Sequence, residues 1–66
     1  MNVFVNGAER ELHAPITIAH LLAGEGMAGR RVAVEVNREI IPRSSHAEHA
    51  LAEGDRIEII QAIGGG

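Results

Sequence analysis

The sequence predicts an α+β fold in which one helix covers one face of a single β-sheet. Apolar residues recur at every second position in several runs of the 66-residue chain, which is the period of a half-buried strand. One short run instead repeats its apolar residues at helical spacing. The resulting order is β-β-α-β-β-β, without an internal repeat, a linker or a second domain.

The first two strands are predicted to form a hairpin. Met1, Val3 and Val5 occupy alternate positions, and Asn6-Gly7 follows them as a typical two-residue turn. An extended pattern resumes over residues 9–13. Two such runs joined by Asn-Gly indicate antiparallel pairing.

The helix is expected to begin at Ile18, because Thr17 can cap it with a side-chain oxygen. Ile16 precedes the cap and is positioned to pack on Leu21. The helix should end near Gly24, since glycine commonly follows the last helical turn.

The third and fourth strands are predicted over residues 32–36 and 39–41, where Asn37-Arg38 turns the chain between them. Pro42 ends the fourth strand because proline cannot donate a ladder hydrogen bond. Residues 44–51 are expected to form one or two loose helical turns. A turn at 53–55 then leads into the last strand, over residues 56–63.

The predicted core lies on one face of this sheet and under the helix. Phe4, Ile60 and Ala62 have the opposite parity to the apolar residues beside them, so they are expected on the open face. An apolar patch there favours a partner-binding surface. The predicted core comprises Met1, Val3, Val5, Leu12, Ile18, Leu21, Leu22, Val34, Val36, Ile57 and Ile59.

Composition excludes several classes of function. Nine acidic residues against six arginines give a net charge of −3 without a basic cluster in the sequence, so nucleic acid is not an expected partner. No apolar run is long enough to span a bilayer, and the chain opens without a basic leader, so we expect a cytoplasmic protein that does not enter membranes. The chain has neither Cys nor Lys.

Two motifs are interpreted structurally rather than chemically. Gly24, Gly26 and Gly29 have dinucleotide-binding spacing, but they follow a helix instead of preceding one, so we expect them to form a turn. His46 and His49 lack a convincing third ligand, so we expect no metal site and interpret them as solvated loop residues.

The C-terminal run Gly64-Gly65-Gly66 is the strongest functional signal. Extended, it reaches about 10 Å, has no side chain to clash, and ends in a carboxylate. Such a tail can enter a narrow channel in another protein. The predicted last strand continues directly into these glycines.

Three segments carry a resemblance to a known family. Residues 34–44 read Val-Glu-Val-Asn-Arg-Glu-Ile-Ile-Pro-Arg-Ser, residues 51–60 read Leu-Ala-Glu-Gly-Asp-Arg-Ile-Glu-Ile-Ile, and residues 62–66 read Ala-Ile-Gly-Gly-Gly. In this combination, the chain closely resembles the ThiS family of sulfur carriers in thiamine biosynthesis. The resemblance implies a β-grasp, ubiquitin-like fold: a mixed sheet on one main helix over residues 1–63, and an extended functional tail over residues 64–66.

The resemblance also implies a mechanism in which this chain is a carrier and not an enzyme. An adenylating, E1-like partner would use ATP to activate the Gly66 carboxylate, and sulfur from a donor such as a cysteine desulfurase would convert it to a thiocarboxylate. Thiazole synthase would then receive the sulfur. Gly64 and Gly65 would let the tail thread, and the chain itself would bind no cofactor or metal. The partner-binding face would comprise Phe4, Ile60, Ala62 and Ile63.

Three alternatives remain open from the sequence. The chain could supply sulfur to molybdopterin or another cofactor. It could be a ubiquitin-like modifier that joins Gly66 to lysines of other proteins, although the absence of Lys prevents self-linked chains through side chains. It could also be an interaction domain with an idle tail.

Overall fold

The computed structural model describes residues 1–13 and 15–61. They form a five-stranded sheet in the order β2-β1-β5-β3-β4, together with one α-helix and one 3-10 helix. Residues 62–66, which include the end of the predicted last strand and the glycine tail, lie outside the described residues. The elements are β1 Asn2–Val5, β2 Ala8–Glu11, α1 Ile18–Gly24, β3 Val32–Val36, β4 Glu39–Ile41, the 3-10 helix Arg43–Ser45, and β5 Arg56–Gln61.

The sheet is mixed, and β5 is its central strand. β5 runs parallel to β1, with Val5 opposite Ile57, and antiparallel to β3, with Val34 opposite Ile59. β2 and β4 complete the two edges by antiparallel pairing with β1 and β3. The two hairpins therefore meet only through the strand that comes last in the described chain.

Both predicted hairpin turns are confirmed, and both have two residues in the left-handed region. Asn6 and Gly7 have φ values of 50° and 83°, and Asn37 and Arg38 have φ values of 53° and 70°. Two consecutive positive φ values define the type I′ turn, whose twist matches that of the flanking strands. Arg38 is the residue least suited to this conformation, because its Cβ crowds the following carbonyl oxygen.

The helix begins and ends as predicted. Thr17 Oγ1 accepts a hydrogen bond from the backbone N–H of His20 at 3.2 Å. The first two helical N–H groups, of Ile18 and Ala19, donate to the carbonyl oxygens of His49 at 3.0 Å and His46 at 2.9 Å. The segment after β4 thus satisfies N–H groups that a helix terminus leaves without intrahelical partners.

The core is largely the predicted one. Nine of its eleven buried apolar residues were predicted, and the other two are Ile41 and Leu51, which the sequence interpretation missed. Met1 and Leu12 are only partly buried at the edge of this core, so their placement inside it was wrong. The side chain of Leu51 is buried because a backbone hydrogen bond, from its N–H to the carbonyl of Ile16 at 2.9 Å, places the residue beside the start of α1.

The segment between β4 and β5 differs from the sequence prediction at His46. A 3-10 helix occupies Arg43–Ser45, so the expected loose helical structure is confirmed only in part. His46 is buried to all but 6% of its surface, and its Nε2 lies 3.0 Å from the carbonyl oxygen of Ile41. Its interpretation as a solvated residue was wrong, because this hydrogen bond offsets the desolvation cost of burying the polar imidazole.

Candidate functional site

The candidate site lies at the C-terminal end of β5. Within the described residues, β5 is paired with β3 as far as Gln61, which lies opposite Val32. On its other side, pairing with β1 ends at Val5 and Ile57. β5 is therefore paired on both sides at Ile57, and only with β3 from there to Gln61.

The side chain of Asn6 extends that support. The carbonyl of Ile57 accepts a hydrogen bond from the backbone N–H of Asn6 at 2.8 Å. Two residues further along β5, the N–H of Ile59 donates to Asn6 Oδ1 at 2.8 Å. The asparagine amide thus continues the β1–β5 ladder after the β1 backbone has turned away.

Phe4 and Ile60 lie on the open face, which we define as the face of the sheet opposite α1. Both have the opposite parity to buried neighbours, namely Val3 and Val5 for Phe4 and Ile59 for Ile60. They do not form one continuous patch, because Phe4 lies opposite Arg56 at the start of β5 and Ile60 lies near its end. The structure therefore confirms their predicted face but does not bring them together.

Arg56 covers the Phe4 ring. Its guanidinium carbon lies 4.9 Å from the ring centroid, within the range of a cation–π interaction. Phe4 is consequently half-buried, whereas 53% of the surface of Ile60 is exposed. Of these two predicted contact residues, Ile60 offers a partner the larger free apolar surface.

The sequence interpretation missed a third apolar residue on the open face, Ile40. Its side chain is 70% exposed, and it lies opposite Glu35 on β3. Its parity relative to the buried Ile41 could have identified it. Glu35 in turn lies opposite Glu58, so two like charges sit side by side between Ile40 and Ile60.

The described residues contain no group of three His, Cys, Asp or Glu side chains placed to hold a metal ion. The Gly24 to Gly29 segment leads from α1 to β3, with positive φ at Gly26 and Gly29. This confirms that the segment is a turn after a helix. In residues 1–13 and 15–61, no helix is long and apolar enough to cross a membrane. The predicted site residues Ala62, Ile63, Gly64, Gly65 and Gly66 lie outside the described part.

Comparison with known proteins decides the family. The family model described as "ThiS family" matches residues 3–66. The chain belongs to the ThiS family. Over its whole length it is 30% identical to the sulfur carrier protein ThiS of Escherichia coli, and the match covers 100% of both chains. The resemblance that the sequence predicted is therefore confirmed.

A solved ThiS structure has the same fold. The crystal structure of a thiamine biosynthesis protein (ThiS) from Geobacter metallireducens superposes with a TM-score of 0.84, at 29% identity and with 100% of both chains covered. This match confirms the predicted β-grasp arrangement of a mixed sheet and one helix.

A longer relative contains a segment that is similar to the whole of this chain. All 66 residues match a thiazole synthase of Paramagnetospirillum magneticum at 47% identity. The chain spans only 20% of the length of that relative. A ThiS-like segment is thus part of a protein named for thiazole synthesis.

Proposed function

We propose that this chain carries sulfur for thiazole formation in thiamine biosynthesis, as a thiocarboxylate on Gly66. The observation that carries the proposal is the ThiS-family match, which extends through residue 66 and so includes all three terminal glycines. The relative from E. coli is named a sulfur carrier protein. The 47% identical segment within a thiazole synthase favours the thiazole pathway over molybdopterin.

The chemistry requires activation of the Gly66 carboxylate by a partner. A carboxylate resists nucleophilic attack, so its oxygen first attacks the α-phosphorus of ATP, which releases pyrophosphate and leaves an acyl-adenylate. A persulfide on a sulfur donor such as a cysteine desulfurase then attacks the acyl carbon and displaces AMP. A thiol cleaves the resulting acyl disulfide, which leaves the thiocarboxylate on Gly66 and joins the donor sulfur and the thiol in a disulfide. An adenylating, E1-like enzyme would bind the ATP, and thiazole synthase would accept the sulfur.

The folded domain would present the tail to the partner enzymes. β5 is the central strand, and Asn6 secures it close to its described end. Gly64 and Gly65 would give the tail the narrow cross-section needed to enter an enzyme channel. The exposed Ile60 lies one residue before the last described residue, where it could contact the rim of such a channel.

Intact-mass spectrometry tests the proposal directly. We expect the protein, incubated with the adenylating enzyme of the same organism, ATP and a sulfur source, to gain the mass of one oxygen replaced by sulfur. Fragmentation should place this change at Gly66. A variant that lacks Gly66 is the matched control and should keep its original mass.

Two results would contradict the proposal. One is an unchanged carboxylate after incubation with an enzyme that activates another ThiS protein under the same conditions. The other is a branched peptide in which Gly66 is joined to a lysine of a second protein, which would assign the chain to the modifier class.

A further inference from the structure

Three arginines lie around the end of β5. Arg31 and Arg43 line a groove together with Ile60. Arg30 and Arg43 line a second groove of about 240 Å³, and Arg43 and Val32 belong to both. We call Arg30, Arg31 and Arg43 the basic corner; all three are exposed.

The topology explains why residues distant in sequence meet here. Arg31 immediately precedes Val32, which lies opposite Gln61 at the described end of β5. β4 ends opposite Val34, so Arg43 follows at the point where the edge of β3 is left uncovered. The sequence showed no basic cluster because its members come from two separate segments.

The loop before β3 supplies the remaining arginine. Gly26 and Gly29 have φ values of 76° and 78°, which L-amino acids with a side chain rarely adopt. The N–H of Arg30 then donates to the carbonyl of Met27 at 3.1 Å. These contacts give the Gly24 to Gly29 loop a structural role, because they bring Arg30 to the groove of about 240 Å³.

The charge of the basic corner is not neutralised within the described residues. The ion pair found among the described residues joins Arg10 to Glu25, at 3.2 Å, and involves none of the three corner arginines. Glu35 and Glu58 lie side by side on the open face. Half of the six arginines thus cluster at one end of a molecule whose net charge is −3.

We propose that the basic corner docks on an acidic surface of the adenylating enzyme, beside the opening that admits the tail. This inference rests on the proposed function, since it assumes that such an enzyme receives Gly66. Arg31 and Arg43 line the groove that contains Ile60, near the described end of β5, so corner and tail would be engaged together. Attraction between opposite charges would orient the carrier before contact and raise the association rate.

The apolar lining of the groove that contains Arg30 supports a protein surface as the occupant. Leu22, Met27 and Val32 line it, and the arginines contribute its charged lining. A protein segment with an acidic residue beside an apolar one would satisfy both parts of this lining. Ile60 contributes a similar apolar contact in the neighbouring groove.

The test compares Arg43→Glu with Arg38→Glu, which changes net charge equally. Arg38 lies in the β3–β4 turn, at the other end of β3 from Val32. We expect Arg43→Glu to lower kcat/KM for adenylation about tenfold at low salt, with kcat little changed, and Arg38→Glu to lower it less than about twofold. The difference should shrink as salt screens the attraction.

Controls separate the possible failures. If the wild-type protein is not adenylated, the proposed function itself fails. If it is adenylated and both variants behave alike, the basic corner does not dock the enzyme. Circular dichroism checks folding, and Arg31→Glu replaces Arg43→Glu if that variant unfolds.

Two other occupants would also overturn the proposal. Sedimentation that shows a wild-type dimer disrupted by Arg43→Glu would assign the corner to a second copy of this chain. The second occupant is a small anion. It would be indicated if wild-type protein and Arg43→Glu had equal kcat/KM without phosphate, and if inorganic phosphate at constant ionic strength inhibited adenylation of the wild type only.

Discussion

Asn6 forms two hydrogen bonds with the backbone of Ile59: its Oδ1 accepts from the N–H at 2.8 Å, and its Nδ2 donates to the carbonyl at 3.4 Å. Asn37 makes a related contact at the other end of β5, where its Oδ1 accepts from the N–H of Arg56 at 3.0 Å. Each hairpin turn therefore holds one end of the central strand. The two asparagines serve the tertiary structure as well as their own turns.

Replacing Asn6→Gly should keep the turn but release Ile59. Glycine accepts the positive φ, whereas loss of the amide should lower the free energy of unfolding by about 1 kcal/mol. Hydrogen exchange at the Ile59 amide should accelerate. Asn6→Asp keeps the accepting Oδ1 and is the control. Equal exchange rates in wild-type protein and Asn6→Gly would show that the side chain does not secure β5.

Replacing Arg38→Gly should stabilise the protein. Arg38 has a φ of 70°, and relief of its left-handed conformation should add about 1 kcal/mol to the free energy of unfolding. For a domain of this size, that corresponds to a rise in Tm of about 4–8 °C. Gly7→Ala makes the reverse change in the other hairpin and should lower Tm. A lower Tm for Arg38→Gly would indicate an unrecognised contact of the arginine.

Replacing His46→Ala should destabilise the fold, although no metal or catalytic role is assigned to this histidine. The change removes a buried ring and leaves the carbonyl of Ile41 without its partner, at a cost of about 2 kcal/mol in unfolding free energy. His49→Ala is a matched control, because in the hydrogen bond to α1 His49 contributes its backbone carbonyl. Similar urea midpoints for the two variants would contradict this prediction.

Replacing Ile60→Asp should weaken binding to the adenylating enzyme by about tenfold, because it removes an apolar contact and adds a negative charge near the described end of β5. Ile40→Asp makes the same change on β4, away from the end of β5, and should have a smaller effect. Isothermal titration calorimetry can compare both variants with the wild type. An unchanged Kd for Ile60→Asp would remove this residue from the proposed contact surface.

The regular elements could be predicted because their signals are local. Alternation of apolar residues identified the faces of β1, β3 and β5, and Asn6-Gly7 identified the first turn. Thr17 and Gly24 marked the two ends of α1, and the structure places both where the sequence predicted. Each inference required only residues within one helical turn or one strand.

The missed features depend on contacts between distant segments. Leu51 is buried because its backbone joins Ile16, and His46 is buried because its ring reaches Ile41. Neither lies in a stretch with a clear period, so periodicity could not assign it a face. The basic corner escaped detection for the same reason, since β3 and the 3-10 helix bring its members together only in the folded chain.

The central position of β5 has a consequence for synthesis of the protein. Since β1 and β3 are not neighbours, a nascent chain that has not yet reached Arg56 can form both hairpins but cannot join them into one sheet. Pairing of β1 with β5 closes a loop of about fifty residues, which is a slow, non-local step. Folding to the native sheet therefore has to wait until translation has passed β5, so a ribosome-bound fragment that lacks this strand would not present the assembled surface to a partner.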